Sequence, residues 1–474
     1  MKNIKQALMR LIGVSTLALL LSGCGAFQPT QAPRTEGPNF LIIISDDQRY
    51  DTMEFMPQTT SLIFDRSVTF NSAYVTTSRC CPSRAAILTG MYNHNNGVYT
   101  NESKLRKPTF VKQMYDAGYF TGIVGKYLNS YPTKPKDRPL REFNVWNVFA
   151  SEAIQYKNPT MNINGHVKQL NGYQTDIIRD QAIEFFRKAD QSGRPFMLIF
   201  APRAPHLPAP PAKEDENLYS DLPLYRPPSF NPQELTGKPE WLASRPVLTE
   251  KQIAAVDNQR LNQLRSLQSL DRAVASLIEE LKAEGKLDNT VVIYISDNGL
   301  FWGDYRLLTG KIYVYEQSTH VPFAISYPLL TEPAAASDLL VANIDIAPTV
   351  LELAGLPIPD TMDGRSLVPI LKGESNTEWR DHLLLEGWPI NAAPIGNSPF
   401  FQAIHTDRYV YVETEGDKSE LYDLETDPYE LHNLIDDSGY ADVLALLQGK
   451  LTEERKSIPP VPNSVKNAAK DQGD

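Results

Sequence analysis

Two apolar runs, far apart in the chain, end in the same way. Asn39-Phe40-Leu41-Ile42-Ile43-Ile44-Ser45 runs into Asp46-Asp47, and Thr290-Val291-Val292-Ile293-Tyr294-Ile295-Ser296 runs into Asp297-Asn298-Gly299. Unbroken, β-branched runs of this kind predict strands buried on both faces of a parallel sheet. Phe196–Phe200, Thr121–Gly125 and Val321–Tyr327 predict further strands. Helical patterns lie between them: Thr109–Ala117, Thr175–Ala189, Thr249–Glu284 and Asp345–Ala354. The longest carries Leu264, Leu267, Leu270, Val274, Leu277, Ile278 and Leu281 at helical spacing, and opens on Thr249 and Gln252, the spacing of a capping box. Strands alternating with helices predict an α/β fold: a mostly parallel sheet sandwiched by helices.

Such sheets bind ligands beyond the carboxyl ends of their strands. The polar residues collect there: Asp46, Asp47, Lys126, His206, Asp297 and Asn298. Taken singly, an Asp-Asp after a strand is a solvated turn, and Asp-Asn-Gly is a common turn sequence. Convergence on one sheet edge makes them candidate ligands. Carboxylates brought together repel unless a cation neutralises them, and a purely oxygen donor set selects Ca²⁺, or Mg²⁺, over zinc. Lys126, Lys311, Arg84 and His206 add local positive charge and proton transfer, with which a metal site holds a tetrahedral anion.

Ser78-Arg79-Cys80-Cys81-Pro82-Ser83-Arg84 leads into Ala85-Ala86-Ile87-Leu88-Thr89-Gly90 and contains two of the three cysteines of the chain. Pro at a first helical position and Gly after a last turn place Cys80 just ahead of a helix N-terminus, where free N–H groups favour an anion. Cys80 is therefore a candidate nucleophile or modified residue; the alternative is a buried cysteine pair. Adjacent cysteines make a strained disulfide, so this is no disulfide scaffold.

The ends of the chain read differently. Lys2, Lys5 and Arg10 precede the apolar stretch Leu11–Leu21, which is too short to span a bilayer and suits a signal peptide over 1–23. Residues 24–38 read as a flexible tether, 39–380 as a catalytic domain, 381–458 as a small α+β subdomain and 459–474 as a disordered tail. Within 381–458, Tyr409–Val412 alternates like an antiparallel strand, Glu420–Asp423 follows, and a helix is expected from about Tyr440 to Lys456. Residues 129–165 read as an excursion with little regular structure, Tyr92 to Lys107 as a polar loop, and the proline-dense stretch from Pro202 to Pro239 as a long loop of functional length. Losing Lys2, Lys5 and Arg10 with the leader moves the formal charge from −11 to −14. A chain so acidic is a poor nucleic-acid binder, and any anionic ligand must be held by local cations.

Cys80-Cys81-Pro82-Ser83-Arg84, continued by Leu88-Thr89-Gly90, resembles the Cys-x-Pro-Ser-Arg signature of the type I sulfatase family. Asp46-Asp47, Gly125-Lys126, Pro205-His206, Asp297-Asn298-Gly299 and Lys311 with Tyr315-Glu316 follow in family order, and Glu420-Leu421-Tyr422-Asp423-Leu424 with His432-Asn433-Leu434 resembles the family's terminal subdomain. The resemblance implies an alkaline-phosphatase-like fold and hydrolysis of sulfate esters. It implies that a formylglycine-generating maturation enzyme converts Cys80, not Cys81, to Cα-formylglycine, whose hydrate is the nucleophile. Asp46, Asp47, Cys80, Asp297 and Asn298 would then hold Ca²⁺ or Mg²⁺. Arg84, Lys126 and Lys311 would stabilise charge, and His206 would protonate the leaving alcohol. Leu21-Ser22-Gly23-Cys24 resembles a lipobox, which implies lipidation of Cys24 and an exported protein anchored to a bacterial membrane.

One position departs from the family. In Gly125-Lys126-Tyr127-Leu128-Asn129, Leu128 stands where many sulfatases carry a histidine assigned to the second step. His94, in Tyr92-Asn93-His94-Asn95-Asn96, is either a substitute base or a solvated loop histidine. The two short motifs together resemble the N-acetylglucosamine-6-sulfatase branch, implying a sulfated carbohydrate substrate with the 202–246 loop lining its approach. The alternatives are a phosphonate or phosphate ester hydrolase of the same superfamily, and a non-catalytic lipoprotein that captures sulfated glycans through an unmodified Cys80.

Overall fold

A computed structural model of the chain describes residues 36–459, apart from 130, 132–137, 152, 375–377, 393–395 and 399. The expected leader, the lipobox with Cys24, most of the tether and the expected disordered tail lie outside the described residues.

The strands of the main sheet are, in chain order, β1 (Asn39–Ser45), β2 (Val68–Phe70), β3 (Phe120–Gly125), β4 (Val145–Phe149), β5 (Thr160–Ile163), β6 (His166–Gln169), β7 (Phe196–Ala201), β8 (Thr290–Ser296), β9 (Phe323–Ser326) and β10 (Ala335–Ser337). They form a 10-stranded sheet in the order β10-β2-β9-β8-β1-β7-β3-β4-β5-β6. From β8 to β4 the pairs are parallel, and β9 and β5 turn antiparallel on either side. Ser45 lies opposite Ser296, so the two acidic strand ends fall side by side.

The helices that cover this sheet are α1 (Cys80–Thr89), α2 (Phe110–Asp116), α3 (Gln174–Ser192), α4 (Glu250–Ala283) and α5 (Ile346–Leu353). Alternate side chains of β1 enter opposite layers. Phe40, Ile42 and Ile44 pack with residues of α1, α2 and α5, and Leu41 and Ile43 pack with residues of α3 and α4. Each such fully buried side chain contributes about 1.5–3 kcal/mol, which is why a run with no polar interruption has to be central. The capping box forms as expected: Thr249 Oγ1 accepts from Gln252 N, and Gln252 Oε1 accepts from Thr249 N at 2.9 Å. Gly125 is required where it stands. Its φ is +113°, and a Cβ there would lie 2.1 Å from the Ala201 carbonyl oxygen. This close approach lets Lys126 N donate to Ala201 O at 2.7 Å and fixes where Lys126 leaves the sheet.

Three expectations are corrected here. The stretch 129–165 holds more regular structure than expected, since its described part supplies β4 and β5, and β6 follows directly. These strands are short, and β6 is exposed along its whole length, so no apolar pattern announces it; pairing with β5 creates it. Helix α1 begins at Cys80 itself, with Arg79 as its N-cap and Pro82 inside the first turn. Any first-turn position tolerates proline, because those N–H groups have no intrahelical partner. The polar loop from Tyr92 contains a helical turn, Asn93–Asn96, with Asn93, His94 and Asn96 buried.

The second sheet is antiparallel, in the order β11 (Leu383–Gly387), β12 (Phe401–His405), β13 (Tyr409–Thr414), β14 (Glu420–Asp423). Helix α6 (Ala441–Arg455) packs Leu447 and Leu451 against Leu384, Ile404, Tyr411 and Leu421. The distal part of the proline-dense stretch braces this sheet. Lys238 Nζ donates to Tyr422 Oη at 2.7 Å and to the Glu430 carbonyl, enclosed by the rings of Tyr305, Tyr315 and Tyr422. No described helix is long and apolar enough to cross a membrane.

Candidate active site

The carboxyl ends of β1, β3, β7 and β8 and the first turn of α1 meet around Cys80. Asp46 and Asp47 follow β1, and Asp47 turns the chain with a φ of 66°. Lys126 Nζ donates to both oxygens of Asp46 at 2.7 and 2.6 Å. Lys311 Nζ donates to Asp47 Oδ1 and, at 2.8 Å, to Cys80 Sγ. Arg84 Nε donates to Asp297 Oδ2 at 2.8 Å, and Asp297 Oδ1 accepts from Asp47 N at 3.1 Å. The thiol lies 3.7 Å from Asp46 Oδ1 and 4.0 Å from Asp47 Oδ1. Among the described residues, every candidate except His94 is thus drawn into one cluster.

Burial by itself would raise the carboxyls of Asp46 and Asp47. Lys126 beside Asp46 and Lys311 beside Asp47 overcome it and hold both below the ordinary carboxylate range. Burial pushes the Cys80 thiol up to about 12, although Lys126 and Lys311 pull the other way. A thiol so held is a poor thiolate nucleophile. Burial also pushes His206 below its usual value, against the pull of Asp47. The Leu207 carbonyl lies 2.6 Å from His206 Nδ1, so Nδ1 carries a proton, and Nε2 faces Asp47 Oδ2 at 3.6 Å.

The donor set suits a divalent cation. Asp46, Asp47, Cys80 and His206 each bring one donor atom within 4.8 Å of the others. Asn298 Nδ2 donates to Asp47 Oδ1 at 2.8 Å, while Asn298 Oδ1 is buried without a hydrogen-bond partner. On the other side of the charge balance, Arg84 Nη2 is buried without an acceptor. A buried polar atom left unpaired costs about 1–3 kcal/mol. One orphaned acceptor and one orphaned donor in a single cluster are what a bound cation and a bound anion would satisfy.

The cluster opens into a cleft of about 540 Å³ lined by Asp46, Lys126 and His206 together with Asn101, Phe149 and Arg203. From the 202–246 stretch Arg203 and His206 line it. Cys81 packs behind, its N–H held by Asn101 Oδ1 at 3.1 Å and its sulfur accepting from Asn129 N at 3.0 Å. Leu128 is buried and touches the cleft with a side chain that moves no proton.

His94 is not at this site. Its Nδ1 lies 2.9 Å from Glu386 Oε2, its ring stacks on Tyr92, and it lines a separate cavity with Arg380 and His382. The helical turn at Asn93–Asn96 points it toward the second sheet. Residues that sequence reasoning passed over include Arg203, Asn101 and Tyr156. Tyr156 Oη donates to the carbonyls of Arg203 and His206 at 3.0 and 2.6 Å and fixes the turn between them. Arg203 had a signal, its place just after β7 in Pro202-Arg203-Ala204-Pro205-His206. Tyr156 had none.

Comparison with known proteins agrees with this geometry. A family model described as Sulfatase matches residues 38–356, and one described as N-sulphoglucosamine sulphohydrolase, C-terminal, matches 303–457. The chain belongs to the sulfatase family. It is 34% identical to the human N-acetylglucosamine-6-sulfatase over 397 residues, which is 78% of this chain and 70% of that protein. It is 33% identical to the extracellular sulfatase SULF-1 homolog of Drosophila melanogaster over 383 residues, 75% of this chain. The chain spans 34% of that relative's length and 54% of that of its Caenorhabditis elegans counterpart. A solved structure of a protein in complex with its substrate, D-glucosamine-2-N,6-O-disulfate, superposes with a TM-score of 0.77 at 24% identity. It covers 89% of this chain and 98% of that one, and it shows the shared fold. The family models and the N-acetylglucosamine-6-sulfatase relative place the chain near the N-acetylglucosamine-6-sulfatase branch, as the motifs implied.

Proposed function

We propose that this chain hydrolyses sulfate esters on carbohydrates, 6-sulfated N-acetylglucosamine among them. The observation that carries the reading is the cluster around Cys80, where Lys126, Lys311 and Arg84 each face a carboxylate and one acceptor and one donor stay unpaired. Asp46, Asp47, Asp297 and Asn298, with residue 80, would hold the Ca²⁺ or Mg²⁺ ion, which when bound supplies a Lewis acid for a sulfuryl oxygen. Cys80 is the residue for a maturation enzyme to oxidise to Cα-formylglycine, which supplies a geminal diol in place of a thiol.

The remaining work belongs to side chains of the chain itself. Arg84 orients residue 80 from the same helical turn and offers Nη2 to a sulfuryl oxygen. Lys126 and Lys311 stand on either side of Cys80 and balance charge that grows on the transferring group. His206 Nε2 delivers a proton to the leaving alcohol, with Nδ1–H held on the Leu207 carbonyl and the Asp47 carboxylate opposing the burial that lowers its value. Leu128 cannot serve in the second step, and among the described residues His206 is the one histidine on the cleft. Both proton transfers are therefore assigned to its Nε2.

Rates on the sulfate and phosphate esters of one alcohol test the reading. Faster sulfate release is expected, and a clear phosphate preference would turn the assignment to the phosphonate or phosphate ester hydrolases of the superfamily. Mass spectrometry of the peptide holding Cys80, from the native host, should show the aldehyde. An intact thiol together with tight glycan binding would instead mark a glycan-capturing lipoprotein. The lipid anchor is a proposal of the same standing: Cys24→Ala should move the exported protein from the membrane fraction to the soluble one.

A further inference from the structure

The cations around Cys80 are each closed onto a carboxylate: Lys126 on Asp46, Lys311 on Asp47 and Arg84 on Asp297. Arg203 lines the same cleft and, among the described residues, has no carboxylate within ion-pair distance. Its Nη2 and Nη1 donate to the carbonyls of Ser151 at 3.2 Å and Ala153 at 3.5 Å, and the guanidinium lies 4.5 Å over the Phe149 ring. The residue is 9% exposed. Desolvating a cation is expensive unless a counter-charge is supplied, and burial indeed drags the guanidinium below its usual value, with Asp46 offsetting only part. The group is also held rigid. Tyr156 Oη fixes its carbonyl, His206 N donates to that same carbonyl at 2.7 Å, and Gln263 Nε2 holds the Pro205 carbonyl at 3.0 Å. A planar fork stacked on an aromatic ring keeps an edge of donors for a two-oxygen anion.

Its position bears on which part of a substrate it would meet. Arg203 shares one pinned turn with His206, the residue assigned to the leaving alcohol, and both line the cleft, which puts the guanidinium on the leaving-group side. Glu102, the acid at the mouth of the cleft, is turned toward Arg79 at 3.6 Å. We propose that Arg203 forms a subsite for a second anionic group on the substrate, a sulfate or a carboxylate, so that the preferred substrates are carbohydrates carrying two negative groups. This inference rests on the sulfatase reading above.

Sulfate release from three substrates separates the parts: N-acetylglucosamine 6-sulfate, N-sulfated glucosamine 6-sulfate, and a disaccharide joining N-acetylglucosamine 6-sulfate to a uronate. The wild type should favour at least one doubly anionic substrate by about ten- to hundredfold in kcat/KM, mostly through KM. A gain confined to the N-sulfated sugar identifies a sulfate, and a gain confined to the uronate identifies a carboxylate. Arg203→Gln should bring the ratio of doubly to singly anionic kcat/KM toward one, with Arg203→Lys between. Should the variants fail to fold, the wild-type ratio and its shrinkage at high salt still test the idea. A wild-type ratio near one, or a ratio that Arg203→Gln leaves unchanged, overturns the subsite alone. If the wild type releases sulfate from none of the three, the sulfatase reading falls and the subsite with it.

Discussion

Two cavities of this molecule gather histidines, arginines and carboxylates, and only one of them has the address of an active site. The cluster beneath the cleft, around Cys80, lies at the carboxyl ends of parallel strands, and its charged groups arrive from β1, β3, β7, β8 and α1. The other cavity, about 770 Å³, is lined by His94, Arg380 and His382 beside the second sheet. There Arg380 grips Asp345 through two bonds of 2.7 and 2.6 Å, His382 lies 3.0 Å from Glu454, and His94 is closed onto Glu386. These contacts join chain segments and act as braces. In the cleft the charged pairs surround a thiol, and Asn298 Oδ1 and Arg84 Nη2 remain unpaired in the midst of them. A cluster of titratable residues is therefore not informative by itself, nor is an unpaired atom, since Glu386 Oε1 beside His94 is unpaired too; where the topology delivers the cluster, and whether it surrounds a reactive group, separate chemistry from cohesion.

The largest expected effect sharpens the contrast within one helical turn. Cys80→Ala should lower sulfate release by roughly a thousandfold or more, as loss of a nucleophile does. Cys81→Ala, beneath it, should keep most of the activity and cost about 1 kcal/mol in stability. Equal loss from both would mean that Cys81 does more than pack. Next comes Asp297→Asn, which weakens the proposed metal site and strips Arg84 of its carboxylate. Metal content after dialysis should fall to background, with activity down at least about a hundredfold. Metal content equal to wild type would count against Asp297 as a ligand.

The third comparison sets one histidine against the other. His206→Gln should reduce kcat by about a hundredfold, the usual share of a general acid. His94→Gln should leave sulfate release within about twofold, since His94 faces a different cavity. A large kinetic loss from His94→Gln with normal folding would reopen it as a base. This pair also shows what the sequence could carry. His206 was legible because it follows a strand buried on both faces, whose end is fixed by an unbroken apolar run. Asp46, Asp47, Lys126, Asp297 and Asn298 were legible for the same reason. His94 was not, because its destination depends on Glu386, nearly three hundred residues away in sequence. Strand β6 was missed because its side chains are exposed and pairing alone makes it a strand. Arg203 stood in plain view after β7, but that no carboxylate among the described residues pairs with it is a tertiary fact that no spacing encodes.

The smallest effect concerns stability and breaks the comparison from the other side. Burial would lower the His94 value, but Glu386 reverses this and raises it above the ordinary histidine value. A histidine whose folded value lies above its unfolded value of about 6.5 adds stability that is fully present below that pH and is lost as pH rises through the folded value. His94→Gln should therefore lower the melting temperature by roughly a few degrees at pH 6, and by less at pH 9. Thermal melts of both proteins across this range give the gap directly. A gap that does not change with pH would show that the pair acts through packing against Tyr92 and not through charge. A gap that widens with pH would reverse the sign and mean that His94 is held neutral beside Glu386, which would make it a proton acceptor of the kind the brace reading denies.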